Sequence, residues 1–111
     1  MQSHVTANAT VKIFKIEGRF GTGRIPLIEN VLPNDMTRKY KVLAFDMSGA
    51  KDVDSSALSF LIQMLNRCKK VGMEMILVGV PDPVMEILRA ATLDKFFTIM
   101  PMSNFERIHM E

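Results

Sequence analysis

Asp54-Ser55-Ser56 sets two hydroxyls behind a carboxylate. An apolar run, Val42 to Phe45, precedes it and ends in Asp46. Met47 to Asp52 reads as a polar loop, and a strongly amphipathic segment begins at Ser55. The hydroxyls therefore stand at a helix N-terminus, at the end of a buried strand. Unpaired backbone N–H groups and the positive end of the helix dipole gather at such a point. Two chemistries fit it. One of the three side chains can cap the helix, or a phosphate can rest on the dipole. A cap needs only one acceptor and leaves the second hydroxyl unexplained. A phosphoryl group on a serine here adds roughly two negative charges. Beside Asp52 and Asp54 it builds a dense negative patch, which can abolish a contact with a partner while leaving the fold intact.

Asp46 is a second candidate. A carboxylate at the C-terminal end of a central strand is where response-regulator receivers carry their phosphorylated aspartate. A receiver also needs an acidic pair after the first strand to hold magnesium, and that position reads Gly18-Arg19-Phe20-Gly21. The alternative role for Asp46 is a structural carboxylate bonding loop N–H groups. Gly18, Gly21 and Gly23 lack the spacing and the following Lys-Ser/Thr of a phosphate-binding loop and read as turn glycines. His4 and His109 lie at opposite ends of the sequence, so neither a Ser/His/Asp arrangement nor a histidine metal site is expected. The chain is read as a non-enzyme with no cofactor and no metal.

The elements that must position Asp54-Ser55-Ser56 follow from periodicity. Val11 to Arg19 is β-branched and aromatic and reads as a strand. Ile13 and Phe14 are adjacent, as if both faces were covered. Pro26 opens a short helix carrying Leu27, Ile28, Val31 and Leu32, which ends at Pro33-Asn34. Lys41 to Met47 is a continuously apolar strand suited to the centre of a sheet. Ser55 to Val71 is the best helix, with Leu58, Leu61, Ile62 and Leu65 on one face, Lys69-Lys70 in its last turn and Gly72 as its cap. Met73 to Val80 is a further buried strand. Asp82 as N-cap and Pro83 at the first position open a helix with Val84, Ile87, Leu88 and Ala91 inside. Phe97 to Met102 reads as a short strand, and Ser103 as the cap of a terminal helix with Phe105 and Ile108. Strands alternating with helices imply an α/β fold with a mostly parallel sheet of four to five strands covered by about four helices. Residues 1–8 read as a flexible lead-in and 9–111 as a single domain.

Composition narrows the function further. The chain has 111 residues, 48% of them hydrophobic and 23% charged, and a net charge of +2. That is one domain of ordinary globular composition. It carries no electrostatic footprint for nucleic acid, and Arg38-Lys39-Tyr40-Lys41 reads as a solvated loop. Cys68 is the single cysteine, so no internal disulfide forms and a cytoplasmic setting is expected. No apolar run approaches a membrane span of about 20 residues, and Met1 to Asn8 has no signal-peptide core.

The main helix carries a second apolar stripe, Phe60, Met64 and Val71, assigned to the side opposite Leu58, Leu61 and Leu65. Either the helix Val84 to Ala91 covers it, or it is a surface for a partner or a second copy of the chain.

Several segments resemble the domain shared by sulfate transporters and anti-sigma factor antagonists, called STAS. The resemblance rests on Phe45-Asp46-Met47-Ser48-Gly49 and on Val53-Asp54-Ser55-Ser56-Ala57-Leu58. It extends through Gly72 to Val80, Ile87-Leu88-Arg89 and Thr92 to Phe97, and covers about Val11 to Met100. It implies a small STAS-like fold and bacterial partner switching. In that scheme the unmodified domain binds an anti-sigma factor that is also a serine kinase, releasing a sigma factor or another target. The kinase phosphorylates the second serine of the motif, Ser56 here (Ser55 is the less favoured site), the contact is lost, and a serine phosphatase resets it. The antagonist catalyses nothing. The expected partner surface comprises Asp54, Ser55, Ser56, Ala57, Phe60 and Met64, with Thr22 in a loop that often contacts the partner in this family. The chain departs from the family at Ala57, where glycine is common. Alanine stiffens the first helical turn, and its methyl group is expected near the approach of a kinase. The alternative within the family is a non-switching subunit of a membrane transport or lipid-transport complex, with Ser56 only capping its helix.

Overall fold

The computed structural model describes residues 2–5, 11–21 and 41–109. Five strands form one sheet in sequence order. They are β1 (Gln2–Val5), β2 (Val11–Phe20), β3 (Val42–Val53), β4 (Glu74–Val78) and β5 (Thr98–Met100). β1 pairs antiparallel with β2, and every other neighbouring pair is parallel. Three helices are described: α1 (Ser55–Val71), α2 (Asp82–Ala90) and α3 (Met102–His109). The α/β architecture with a largely parallel sheet is as expected. The stretch read as a lead-in differs, because four of its residues form β1. The helix expected from Pro26 to Leu32, Thr22, and Arg38 to Tyr40 of the basic cluster lie outside the described residues.

The apolar residues alternate between the two faces of β3 and β4. Leu43, Phe45, Met75 and Leu77 join the larger core beneath α1 and α2. Val42, Ala44, Ile76 and Val78 join a second core with Phe105 of α3. Ile13 and Phe14 fall one into each cluster, which accounts for their adjacency. A strand covered on both faces reads as a continuous apolar run for this reason.

β3 is longer than expected, because the supposed loop after Met47 continues as strand. Lys15 faces Asp46, Glu17 faces Gly49, and Arg19 faces Asp52, so β3 gains one residue on β2 at each of two irregularities. Bulges of this kind bend a strand and increase its twist. They also change which residues point inward, and Met47, Ala50 and Val53 are buried three residues apart.

α1 begins at its Asp54 cap and ends at Gly72, whose φ of 76° is the left-handed conformation that glycine adopts without strain. α2 corrects the expected cap. Pro81 is the N-cap residue and Asp82 the first helical residue, and no side chain bonds the cap. α3 starts at Met102, so Ser103 lies inside it, and the Phe105 N–H donates to the Pro101 carbonyl at 3.1 Å.

Candidate functional site

The second bulge of β3 delivers the chain to Asp54, whose backbone is extended at φ −99° and ψ 179°. Its N–H donates to the Phe20 carbonyl at 3.1 Å, tying the start of α1 to the end of β2. Its carbonyl accepts the first helical bond from the Leu58 N–H, and its Oδ1 accepts the Ala57 N–H at 2.9 Å. Asp54 is therefore the cap, and neither serine is needed for that bond.

Gly21 makes this geometry possible. A methyl group on Gly21 would fall well inside contact distance of the Asp54 carboxyl group. Reading Gly21 as a turn glycine missed this role. The signal lay in its position directly after a strand, and only the pairing of β2 with β3 shows what it faces.

With Asp54 as cap, Ser55 and Ser56 occupy the first turn of α1. Ser55 is exposed, Ser56 half-buried and Ala57 fully buried. The first turn of the helix contains no acidic side chain. Asp52 lies just before it, half-buried, with its carboxylate 3.8 Å from Arg19. The site is a helix N-terminus with one exposed and one half-buried serine, one capping carboxylate and a second carboxylate nearby.

Three expected partner residues are corrected. Ala57 is fully buried, so its methyl group points into the core and not toward an approaching protein. Phe60 and Met64 are buried as well, at 4% and 1% exposure. The Phe60 ring meets Phe20 and Phe45 edge-on, with centroids 6.1 Å away in each case. The helix-wheel assignment failed because the inward direction of α1 runs through Ala57, Leu61, Met64 and Cys68, with Phe60 and Leu65 flanking it. Phe60 and Met64 thus belong to the same broad stripe as Leu61, packed on the sheet. Ile62 and Val71 are the exposed large apolar residues of α1, at 37% and 50% exposure, and Leu58 is partly buried.

Asp46 is buried and bonded. Its Oδ1 accepts both the N–H of Ser48, at 3.0 Å, and the Ser48 hydroxyl, at 2.7 Å. The carboxylate closes a tight local turn at the first bulge of β3. No group of three metal-ligating side chains occurs among the described residues. No described helix is long and apolar enough to cross a membrane.

The sequence profile of the STAS domain matches residues 2–106. A candidate anti-sigma factor antagonist from Thermotoga maritima superimposes with a TM-score of 0.82 at 17% identity, covering 99% of this chain and 94% of that one. The anti-sigma factor antagonist SpoIIAA in its unphosphorylated form gives 0.74 at 11% identity, over 96% and 94% of the two chains. A sulfate transporter family protein from Wolinella succinogenes gives 0.68 at 21% identity, over 87% and 80%. No curated protein matches the sequence. At these identities the solved structures share the fold, and the profile match over nearly the whole length supplies the family: the chain belongs to the STAS domain family.

Proposed function

We propose that this STAS domain is an anti-sigma factor antagonist whose binding to an anti-sigma factor kinase is switched by phosphorylation of Ser56. The observation that carries the reading is the first turn of α1. Asp54 accepts the Ala57 N–H, so that bond needs neither serine, and the turn carries Ser55 exposed and Ser56 half-buried. A phosphate there meets the positive end of the helix dipole, worth typically about 0.3–1 kcal/mol, so the modified domain keeps its fold. The same phosphate joins Asp52 and Asp54 in one negative cluster. A partner surface that accepted the neutral serine must then accommodate roughly two added charges.

In this reading the Ser56 hydroxyl takes the terminal phosphoryl group of ATP held by the kinase, ADP leaves, and the hydroxyl proton passes to a base of the kinase. A serine phosphatase returns the hydroxyl by hydrolysis. The chain is the substrate of both steps and catalyses neither. Its setting is cytoplasmic, where kinase and ATP are found.

The test compares wild type with Ser56→Asp and Ser56→Ala in binding to the cognate kinase. Ser56→Asp is expected to weaken binding at least about tenfold, since like-charge juxtaposition at an interface costs several kcal/mol, with the melting temperature essentially unchanged. Ser56→Ala should bind but resist the switch. Equal binding by all three forms sinks the reading.

The likeness to the Wolinella succinogenes sulfate transporter family protein and to the SulP transporter STAS domain from Vibrio cholerae supports a second reading. The chain would then be a fixed subunit of a membrane transport or lipid-transport complex. A transporter partner held equally by wild type and Ser56→Asp would favour it.

A further inference from the structure

The far end of α1 carries a surface that the Ser56 switch does not use. Between the C-terminal half of α1 and the turn after α2 lies a groove of about 280 Å³, lined by Ile62, Leu65, Asn66, Lys69, Leu93 and Phe96. Leu65 and Leu93 form its floor, at 9% exposure and half-buried respectively. Ile62 and Phe96 stand at its rim, 37% and 61% exposed. Phe96 is the most exposed of the large apolar side chains described. Leaving an aromatic ring in water beside an apolar hollow forgoes the favourable burial of its apolar surface, which marks the place as one that something else covers.

Charge identifies the occupant. α1 holds no aspartate or glutamate in its 17 residues, and its C-terminal half carries Arg67, Lys69 and Lys70, all exposed. Lys69 lines the groove itself, and Lys95 is exposed beside Phe96. Asp94, half-buried on the same turn, is the acid adjacent to them. The rim is therefore positive around apolar anchors. A bilayer is a poor fit, because the apolar side chains line a hollow and an interfacial anchor presents a projecting apolar face. A second copy is also a poor fit. Two-fold pairing of a patch with itself sets the same cations against each other.

We propose that the Ile62–Phe96 groove docks an acidic amphipathic segment of a protein partner, its apolar side chains seated on Leu65 and Leu93 and its carboxylates facing Lys69, Lys70 and Arg67. This surface begins about 9 Å along the helix from Ser56 and ends about 20 Å from it, and it stands whether or not Ser56 is modified.

The test selects a phage-displayed library of random peptides, each about 16 residues long and so long enough for an amphipathic helix, on the intact wild-type protein. The best binder is then measured by fluorescence anisotropy. Enriched peptides are expected to combine Asp or Glu with apolar residues at short spacing. Phe96→Ala, a surface change that leaves the fold intact, should weaken them at least about tenfold, as removal of an aromatic anchor does. Lys69→Glu with Lys70→Glu should also weaken them and should gain binding to the same peptide with its acids replaced by lysine. Circular dichroism melting confirms that each variant is folded. Enrichment of neutral or basic peptides overturns the proposal, as does binding indifferent to Phe96. Two further results overturn it: binding of phosphatidylglycerol vesicles through Phe96 with no acidic peptide selected, and self-association in sedimentation equilibrium that is lost in Phe96→Ala.

Discussion

Replacing Asp54 with alanine removes the acceptor of the Ala57 N–H and leaves that donor unpaired at the head of α1. Loss of an N-cap of this type costs about 1 kcal/mol, readable as a shift in the urea midpoint. Gly21→Ala should destabilise by a different route, since its new methyl group collides with the Asp54 carboxylate. The two changes are therefore coupled. In Gly21→Ala/Asp54→Ala the collision is gone, so the double variant should lose less stability than the sum of the singles. A strictly additive cycle would show that Gly21 does not press on the cap. That one of Asp54, Ser55 and Ser56 caps the helix was legible in the sequence, but which one was not, because all three are favoured cap residues. The dependence of the cap on Gly21 was not legible either. It arises from residues far apart in sequence, joined only by strand pairing.

At the scale of the element, α1 shows how a correct boundary can accompany a wrong face. Its start, its end at Gly72 and its basic last turn all follow from local rules. The direction of burial depends on which side meets the sheet, and several apolar residues offer competing arcs. Cys68 lies on the face that proved to be inside, at 1% exposure. Burial pushes its thiol above the ordinary value, and the neighbouring Arg67 opposes the shift. The folded protein thus holds the thiol proton more tightly than the unfolded chain. The contribution to stability is fully present below the unfolded thiol value and is lost as pH rises through the folded one. Urea titrations at neutral and alkaline pH should show stability falling across that window, with a shallower fall in Cys68→Ala. Identical slopes would mean that Cys68 is not the group responsible. β3 gives the complementary lesson. Its apolar half was plain, whereas Ser48 to Asp52 looked like a loop because the bulges break the period of two.

Across the whole molecule, the two core clusters make the sheet a shared wall. The larger lies under α1 and α2, and the smaller is closed by α3 through Phe105, which is fully buried. Phe105→Ala should cost about 3–5 kcal/mol, a large share of the roughly 5–15 kcal/mol typical of a domain. It should also expose the Ile76 and Val78 face to solvent. A loss under about 1 kcal/mol in thermal or urea unfolding, small beside the usual cost of emptying an aromatic site, would show that α3 is not needed to close that face. The alternation of strands with helices gave this layered plan away in advance. The antiparallel β1 stayed hidden because Gln2–Val5 has no apolar pattern to announce a strand. The ends of the sheet are short: β1 contributes four residues, and β5 contributes three before Pro101. Proline has no N–H to offer a further strand, and short edges give a foreign chain little backbone to copy. Concentrated stocks of this protein should accordingly resist fibril growth through strand-to-strand addition. A variant that lengthens β5 by replacing Pro101 would lose that protection first.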